Sequence, residues 1–180
     1  MSPFDLDAAI RKIPDHPIQG ILFYDLMPLF ASPRALATCV EELAGWGRGR
    51  RPDVVLGAEA RAFILGGAVA RELGVGFVAA RKPGRLPGET FSQAYELEYG
   101  SNSLEIHVDG IRPGQRVLVH DDLLATGGTA EAVCRLVERC GAEVVGVAFV
   151  VELTFLPGRE RLAGYDVISL VQYDSEKVAP

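Results

Sequence analysis

Short apolar runs alternate with glycine-closed helical stretches through most of this chain, and that rhythm leaves few folds open. DVVLGA (53–58), VGFVAA (75–80), RVLVHD (116–121), AEVVGVAFVVEL (142–153) and DVISLVQY (166–173) read as strands. Residues 62–73 read as a helix ending at Gly74, where glycine takes up a left-handed cap at little cost, and 129–140 read as another, closed by Gly141. Strands separated by helices need crossover connections, and crossovers join parallel neighbours. The expectation is an α/β fold: a mainly parallel central sheet with flanking helices covering both faces.

Two segments depart from the rhythm. The front of the chain reads as a short helix over Asp5–Lys12 followed by PDHPIQGILFYDLMPLF, an apolar run broken by prolines. It is expected to form a small hood over one edge of the sheet, within residues 1–35. Two Pro-Gly pairs in KPGRLPGETFSQ (82–93) forbid regular structure, and AYELEYG and SLEIHV look like a two-stranded ribbon behind it. A long loop inside a compact domain is more often functional than accidental, so 82–108 is expected to be a flexible lid loop with its ribbon.

No repeat or linker divides the chain, and its 180 residues, 48% of them hydrophobic, suffice for one domain spanning 1–180. The opening MSPFDLDAAIRK lacks an apolar segment before a cleavage site, and the apolar runs are too short to cross a bilayer, so neither secretion nor a membrane partner is expected. Three cysteines with no close pairing (Cys39, Cys134, Cys140) fit a reducing cytoplasm better than a disulfide framework. A net charge of −6 disfavours a nucleic-acid partner, and GRGRRPD reads as a solvated surface run.

The chemistry concentrates in VLVHDDLLATGGTAEAV (117–133). In a parallel sheet the C-terminal strand ends face the ligand crevice, and Asp121 and Asp122 stand at such an end. The loop 123–128 then runs into a helix start. Glycines let its N–H groups converge, and the helix terminus adds free donors and partial positive charge, so a phosphate can be held without a lysine. The hydroxyls of Thr126 and Thr129 are further donors. The acids would repel that phosphate but can accept hydrogen bonds from a diol. A sugar 5-phosphate satisfies both demands. The GK[ST] of a nucleotide-binding P-loop and the GxGxxG of a dinucleotide fold are absent.

VLVHDDLLATGGTA resembles the phosphoribosyl-diphosphate (PRPP) binding motif of the type I phosphoribosyltransferases. IPDHPIQGILFYDLMPL, LGAEARAFILG, ARKPGRLPGET, YELEYG and VVELTFLPGRERL resemble, in that order, segments of the adenine phosphoribosyltransferases, so the likeness covers nearly the whole chain. The resemblance implies purine salvage: pentosyl transfer from PRPP to adenine, giving AMP and diphosphate. It implies that Asp121 and Asp122 accept from the ribose hydroxyls, that Ala125, Thr126, Gly127, Gly128 and Thr129 wrap the 5-phosphate, and that Arg61 and Lys82 contact the diphosphate. Glu98 matches the acid/base that shuttles a purine proton, and Tyr99 would help the lid close. Phe23 would pack on adenine while backbone groups of Leu22 and Tyr24 read its edge. Mg²⁺ would be bound mainly through PRPP, with no protein metal cage, and a homodimer is implied.

Four positions depart from the family's pattern. Tyr24 stands where arginine is common, Ala62 where glycine is frequent, Ala60 where serine is, and His120 where an apolar residue is. His120 reads as a partly buried strand histidine, and His16 and His107 as surface or packing residues without ligand spacing. The alternatives are a sister transferase for another base and a PRPP-sensing regulator without catalysis. A regulator would need an appended DNA-reading helix pair or a cationic face, and the chain has neither.

Overall fold

The structure is a computed structural model that describes residues 4–96 and 101–175. After a single 3₁₀ turn at Asp7–Ala9 come β1 (Arg11–Ile13), β2 (Phe23–Asp25), α1 (Met27–Ala31), α2 (Pro33–Arg48) and β3 (Val54–Ala58). Then follow α3 (Ala62–Leu73), β4 (Gly76–Ala80), β5 (Thr90–Glu96), β6 (Ser101–His107) and β7 (Arg116–Leu124). The chain continues through α4 (Gly128–Arg139), β8 (Glu143–Leu153), α5 (Gly158–Arg161) and β9 (Val167–Tyr173). Five strands form the central sheet in the order β4-β3-β7-β8-β9, every pair parallel.

Alternation along the strands explains why both faces are covered. Leu56, Val117 and Val119 join Val133, Val137 and Phe149 on the α4 side, whereas Val55 and Leu118 join Leu43, Val69 and Ala148 on the side of α2 and α3. Each fully buried side chain of this size contributes about 1.5–3 kcal/mol, so the sheet centre is the stable platform from which the strand ends project.

The α2 helix lies outside the sequence expectations. Ser32 caps it, accepting from the Ala35 N–H at 3.3 Å, and Pro33 opens it. Gly45, Gly47 and Gly49 disguise its end in the sequence. Gly47 is there because a Cβ would stand 3.1 Å from Leu118 Cδ2, so the helix needs a notch to reach the sheet.

The expected helix over Asp5–Lys12 is instead one 3₁₀ turn followed by β1, which pairs antiparallel with β2. Ile13 precedes Pro14, and proline disfavours helical backbone in the residue before it. The hood packs Leu6, Ile10, Leu26 and Leu29 on Val150 and Val151, with Leu170, Val171 and Tyr173 of the edge strand β9 beside them.

The irregular part of the 82–93 segment is shorter than expected, because β5 begins at Thr90 and pairs antiparallel with β6. Its loop is tied to β6: Gly84 N–H donates to Glu105 Oε2 at 3.1 Å, and His107 Nε2 lies 2.8 Å from the Pro87 carbonyl, to which it donates. Among the described residues no helix is long and apolar enough to cross a membrane.

Candidate active site

Strand β7 runs two residues past the acids, so Asp121 and Asp122 lie inside the strand rather than at its end. Pairing with β8 continues through Asp121↔Phe149 to Leu124↔Glu152, which shortens the expected loop 123–128 to 125–127. Successive strand residues face opposite sides, so the two acids diverge. Asp121 lines a cavity of about 70 Å³ shared with Thr126, Gly127, Gly128 and Thr129. Asp122 points toward α3, where Arg61 Nε donates to its Oδ2.

The cavity is walled by the end of β7, the 125–127 loop and the first residues of α4. Gly127 has φ +80, a left-handed conformation that turns the loop into α4, and its carbonyl accepts from the Glu131 N–H at 2.9 Å as the helix begins. Ala125 and Ala130 complete the lining with Leu123, Leu124 and Phe149. A small space at a helix N-terminus with hydroxyls at Thr126 and Thr129 suits a tetrahedral oxyanion.

The acid pair is electrostatically tense. Burial pushes the Asp121 carboxyl well above its ordinary value and the neighbouring Asp122 adds to the rise, while the Asp122 N–H donating to Asp121 Oδ1 at 2.9 Å and the Arg61 cation oppose it. His120 is buried one residue earlier. Its Nδ1 donates to the Ala148 carbonyl at 2.9 Å, leaving Nε2 as an acceptor with no partner among the described residues. Burial depresses the His120 pKa to about 4, with Ala148 and Asp122 pulling the other way, so the ring is neutral at physiological pH.

Arg61 links the acids to the hood, its Cζ standing 6.0 Å from the Phe23 ring centroid. Phe23 also meets His16 edge-on at 4.9 Å. In β2 Phe23 and Tyr24 face opposite ways. Tyr24 is only 4% exposed and stacks on Tyr173 at 4.1 Å, with its hydroxyl donating to the Ser175 carbonyl at 3.4 Å. The Tyr24 side chain is thus turned into the fold, leaving backbone and Phe23 on the open side with half-buried Leu22 before them.

Sequence reasoning passed over Glu59. Its Oε2 accepts from the Lys82 N–H at 2.9 Å and from Arg81 Nε at 3.3 Å, tying the turn after β3 to the start of the 82–89 loop. The Lys82 amide, helped by Arg81, holds the Glu59 carboxyl below its ordinary value against the opposing effect of burial. The available signal was an acid directly after a buried strand. The Lys82 side chain itself is exposed. Glu98 and Tyr99 lie outside the described residues.

The parallel sheet with paired acids beside a small cavity at a helix start fits one class, the phosphoribosyl transferases, and the model of the phosphoribosyl transferase domain matches residues 30–174. The adenine phosphoribosyltransferase of Desulfitobacterium hafniense (strain Y51) is 51% identical over 173 residues, covering 96% of this chain and 100% of that protein. The crystal structure of the Thermoanaerobacter pseudethanolicus adenine phosphoribosyltransferase superposes with TM-score 0.90 at 50% identity, covering 93% of this chain and 98% of that one. The Saccharomyces cerevisiae enzyme, complexed with an imino-altritol bisphosphate and adenine, gives TM-score 0.86 at 40% identity, covering 92% and 96%. The chain belongs to the adenine phosphoribosyltransferase family.

Proposed function

We propose that this protein transfers the 5-phosphoribosyl group of PRPP to adenine, forming AMP and releasing diphosphate, as a step of purine salvage. The observation that carries the reading is the agreement of a chain-long match to adenine phosphoribosyltransferases with an acid pair that abuts a main-chain anion cradle. The yeast relative was crystallised with adenine and a sugar-like bisphosphate, which are the two kinds of ligand this site would take.

In this reading the bond between ribose C1 and the diphosphate oxygen breaks, and a bond from C1 to adenine N9 forms. The sugar acquires cationic character as the diphosphate departs with the bond electrons. The cradle of Ala125, Thr126, Gly127, Gly128 and Thr129 holds the 5-phosphate, and Asp121 and Asp122 accept from the ribose hydroxyls. Arg61 and Lys82 face the diphosphate, where preorganised positive charge counts most. Phe23 packs on adenine, and the main chain of Leu22 and Tyr24 reads its edge. Glu98 takes the N9 proton as the new bond forms, and Tyr99 closes over the site with the 82–108 lid and ribbon, excluding water from the sugar cation.

The reading includes Mg²⁺, a cytoplasmic location and a homodimer. The carboxylates of Asp121 and Asp122 are hard oxygen donors of the kind this ion accepts. Among the described residues no three His, Cys, Asp or Glu side chains converge on a common point. In this reading the ion is held mainly by PRPP oxygens, and when bound it would neutralise charge on the departing diphosphate.

The test is to incubate the protein with PRPP, Mg²⁺ and adenine, guanine, hypoxanthine or orotate separately, and to identify the nucleotides by mass. AMP as the single product is expected. A nucleotide from another base would move the assignment to a sister transferase, and no product at all would support a regulator.

A further inference from the structure

The phosphate cradle leans on a second piece of main chain. Gly158 opens α5, and a Cβ placed there would stand 2.2 Å from the Ala125 carbonyl oxygen and 2.8 Å from Leu124 Cδ1. A Cβ on Gly127 would stand 2.9 Å from the Gly158 carbonyl oxygen. The two backbones therefore touch with no side chain between them, and the path of 125–127 follows the position of Gly158.

That position is fixed by the next residue. Arg159 donates from Nε to Glu152 Oε1 at 2.8 Å, from Nη2 to Glu152 Oε2, and from Nη1 to the Val167 carbonyl at 2.8 Å. Glu152, only 3% exposed, also accepts from Ser169 Oγ and from Gln172 Nε2 at 3.2 Å. Burial would raise its carboxyl, but Arg159, Ser169 and Gln172 outweigh burial and hold it below the ordinary value, so it stays charged. Glu152 stands beside Leu124 in the β7–β8 register. The connection therefore runs from the rigid sheet through Glu152 and Arg159 to Gly158, and from there to the cradle.

We propose that Arg159 and Glu152 are positioning residues for the phosphate subsite, acting through Gly158 to aim the amides of 125–128. The proposal rests on the reading that this loop holds the 5-phosphate of PRPP. A cradle made of main-chain donors cannot adapt by changing rotamers, so its N–H directions have to be imposed from outside. An ion pair anchored on the buried Glu152 carboxylate supplies a directional link that a hydrophobic contact would not.

The experiment is steady-state kinetics on the intact enzyme with Mg²⁺, comparing wild type with Arg159→Ala, Arg159→Lys, Glu152→Gln and Gly158→Ala. A misplaced cradle is expected to raise KM for PRPP about tenfold or more. KM for adenine should stay within about twofold, and Arg159→Lys should lose less than Arg159→Ala. A purely structural role would instead lower the active fraction, reducing apparent kcat while leaving both KM values alone. That pattern in variants that melt cooperatively would overturn the proposal, and Arg159→Lys and Glu152→Gln preserve the test should Arg159→Ala fail to fold. Wild type making no AMP would defeat the functional reading, a result distinct from either.

Discussion

Arg61 Nε donates to Asp122 Oδ2, joining the first residue of the α3 entry to the second of the paired acids. The cation assigned to the diphosphate and an anion assigned to the ribose thus hold each other, and the pair spans the sheet between β3 and β7. PRPP would have to meet both groups at once, since freeing one exposes the other's charge. Asp122→Asn keeps the shape but removes the charge. It is expected to raise KM for PRPP about ten- to a hundredfold, the range for losing a hydrogen bond to a charged partner. Initial rates at varied PRPP check this, and an unchanged KM would remove Asp122 from the ribose site.

Asp121 should cost stability where it serves function. Its folded pKa lies above the ordinary 3.8, chiefly through burial, so the fold binds that proton more tightly than the unfolded chain. Its contribution is therefore present at low pH and lost as pH rises through the raised folded value. Asp121→Asn should melt higher than wild type near pH 7 while losing PRPP turnover. Each kcal/mol relieved raises Tm by about 2–4 °C. The gap should close below about pH 3.8, and melting curves across that range decide it.

His120 should shape the acid limb of stability in the opposite sense. Its pKa falls from 6.5 to about 4 in the fold, so the unfolded chain takes up the proton first. Stability is then lost as pH drops from 6.5 toward 4, by on the order of 3 kcal/mol. His120→Val, which also removes the orphaned Nε2, should flatten denaturant-unfolding free energies between pH 7 and 5. A slope equal to that of wild type would place the acid sensitivity elsewhere.

Tyr24 should act on adenine through packing alone. Tyr24→Phe keeps the stack on Tyr173 and is expected to leave KM for adenine within about twofold. Tyr24→Ala empties a buried site and should cost about 3–5 kcal/mol in unfolding free energy, with a raised adenine KM as β2 loosens. A large adenine effect in Tyr24→Phe would mean that the hydroxyl touches the base.

Chelation separates an ion carried by substrate from one built into the protein. Excess EDTA should abolish transfer and added Mg²⁺ should restore it, while Tm of the free protein stays unchanged. A fall in Tm on chelation would reveal an ion held by the chain itself.

Much of this molecule is written locally. The α3 helix at 62–73, the buried strands, the acids and the glycine turn follow from side-chain period, from Gly74 and Gly127 at left-handed positions, and from donors grouped within a few residues. Local pattern also misled at three places. It hid α2 behind glycines, read Asp5–Lys12 as helix, and ended β7 at Asp121, whereas cross-strand pairing with β8 carries that strand on to Leu124. The sequence by itself determined which face of each element is apolar and where the two acids meet a glycine turn and a helix start, since both depend on neighbours in the chain. Tertiary structure alone decided that Arg61 meets Asp122, that Tyr24 turns inward onto Tyr173, and that Gly158 bears on Ala125. Those contacts join segments far apart in sequence, and their partners are selected by the packing of the whole sheet rather than by any one stretch.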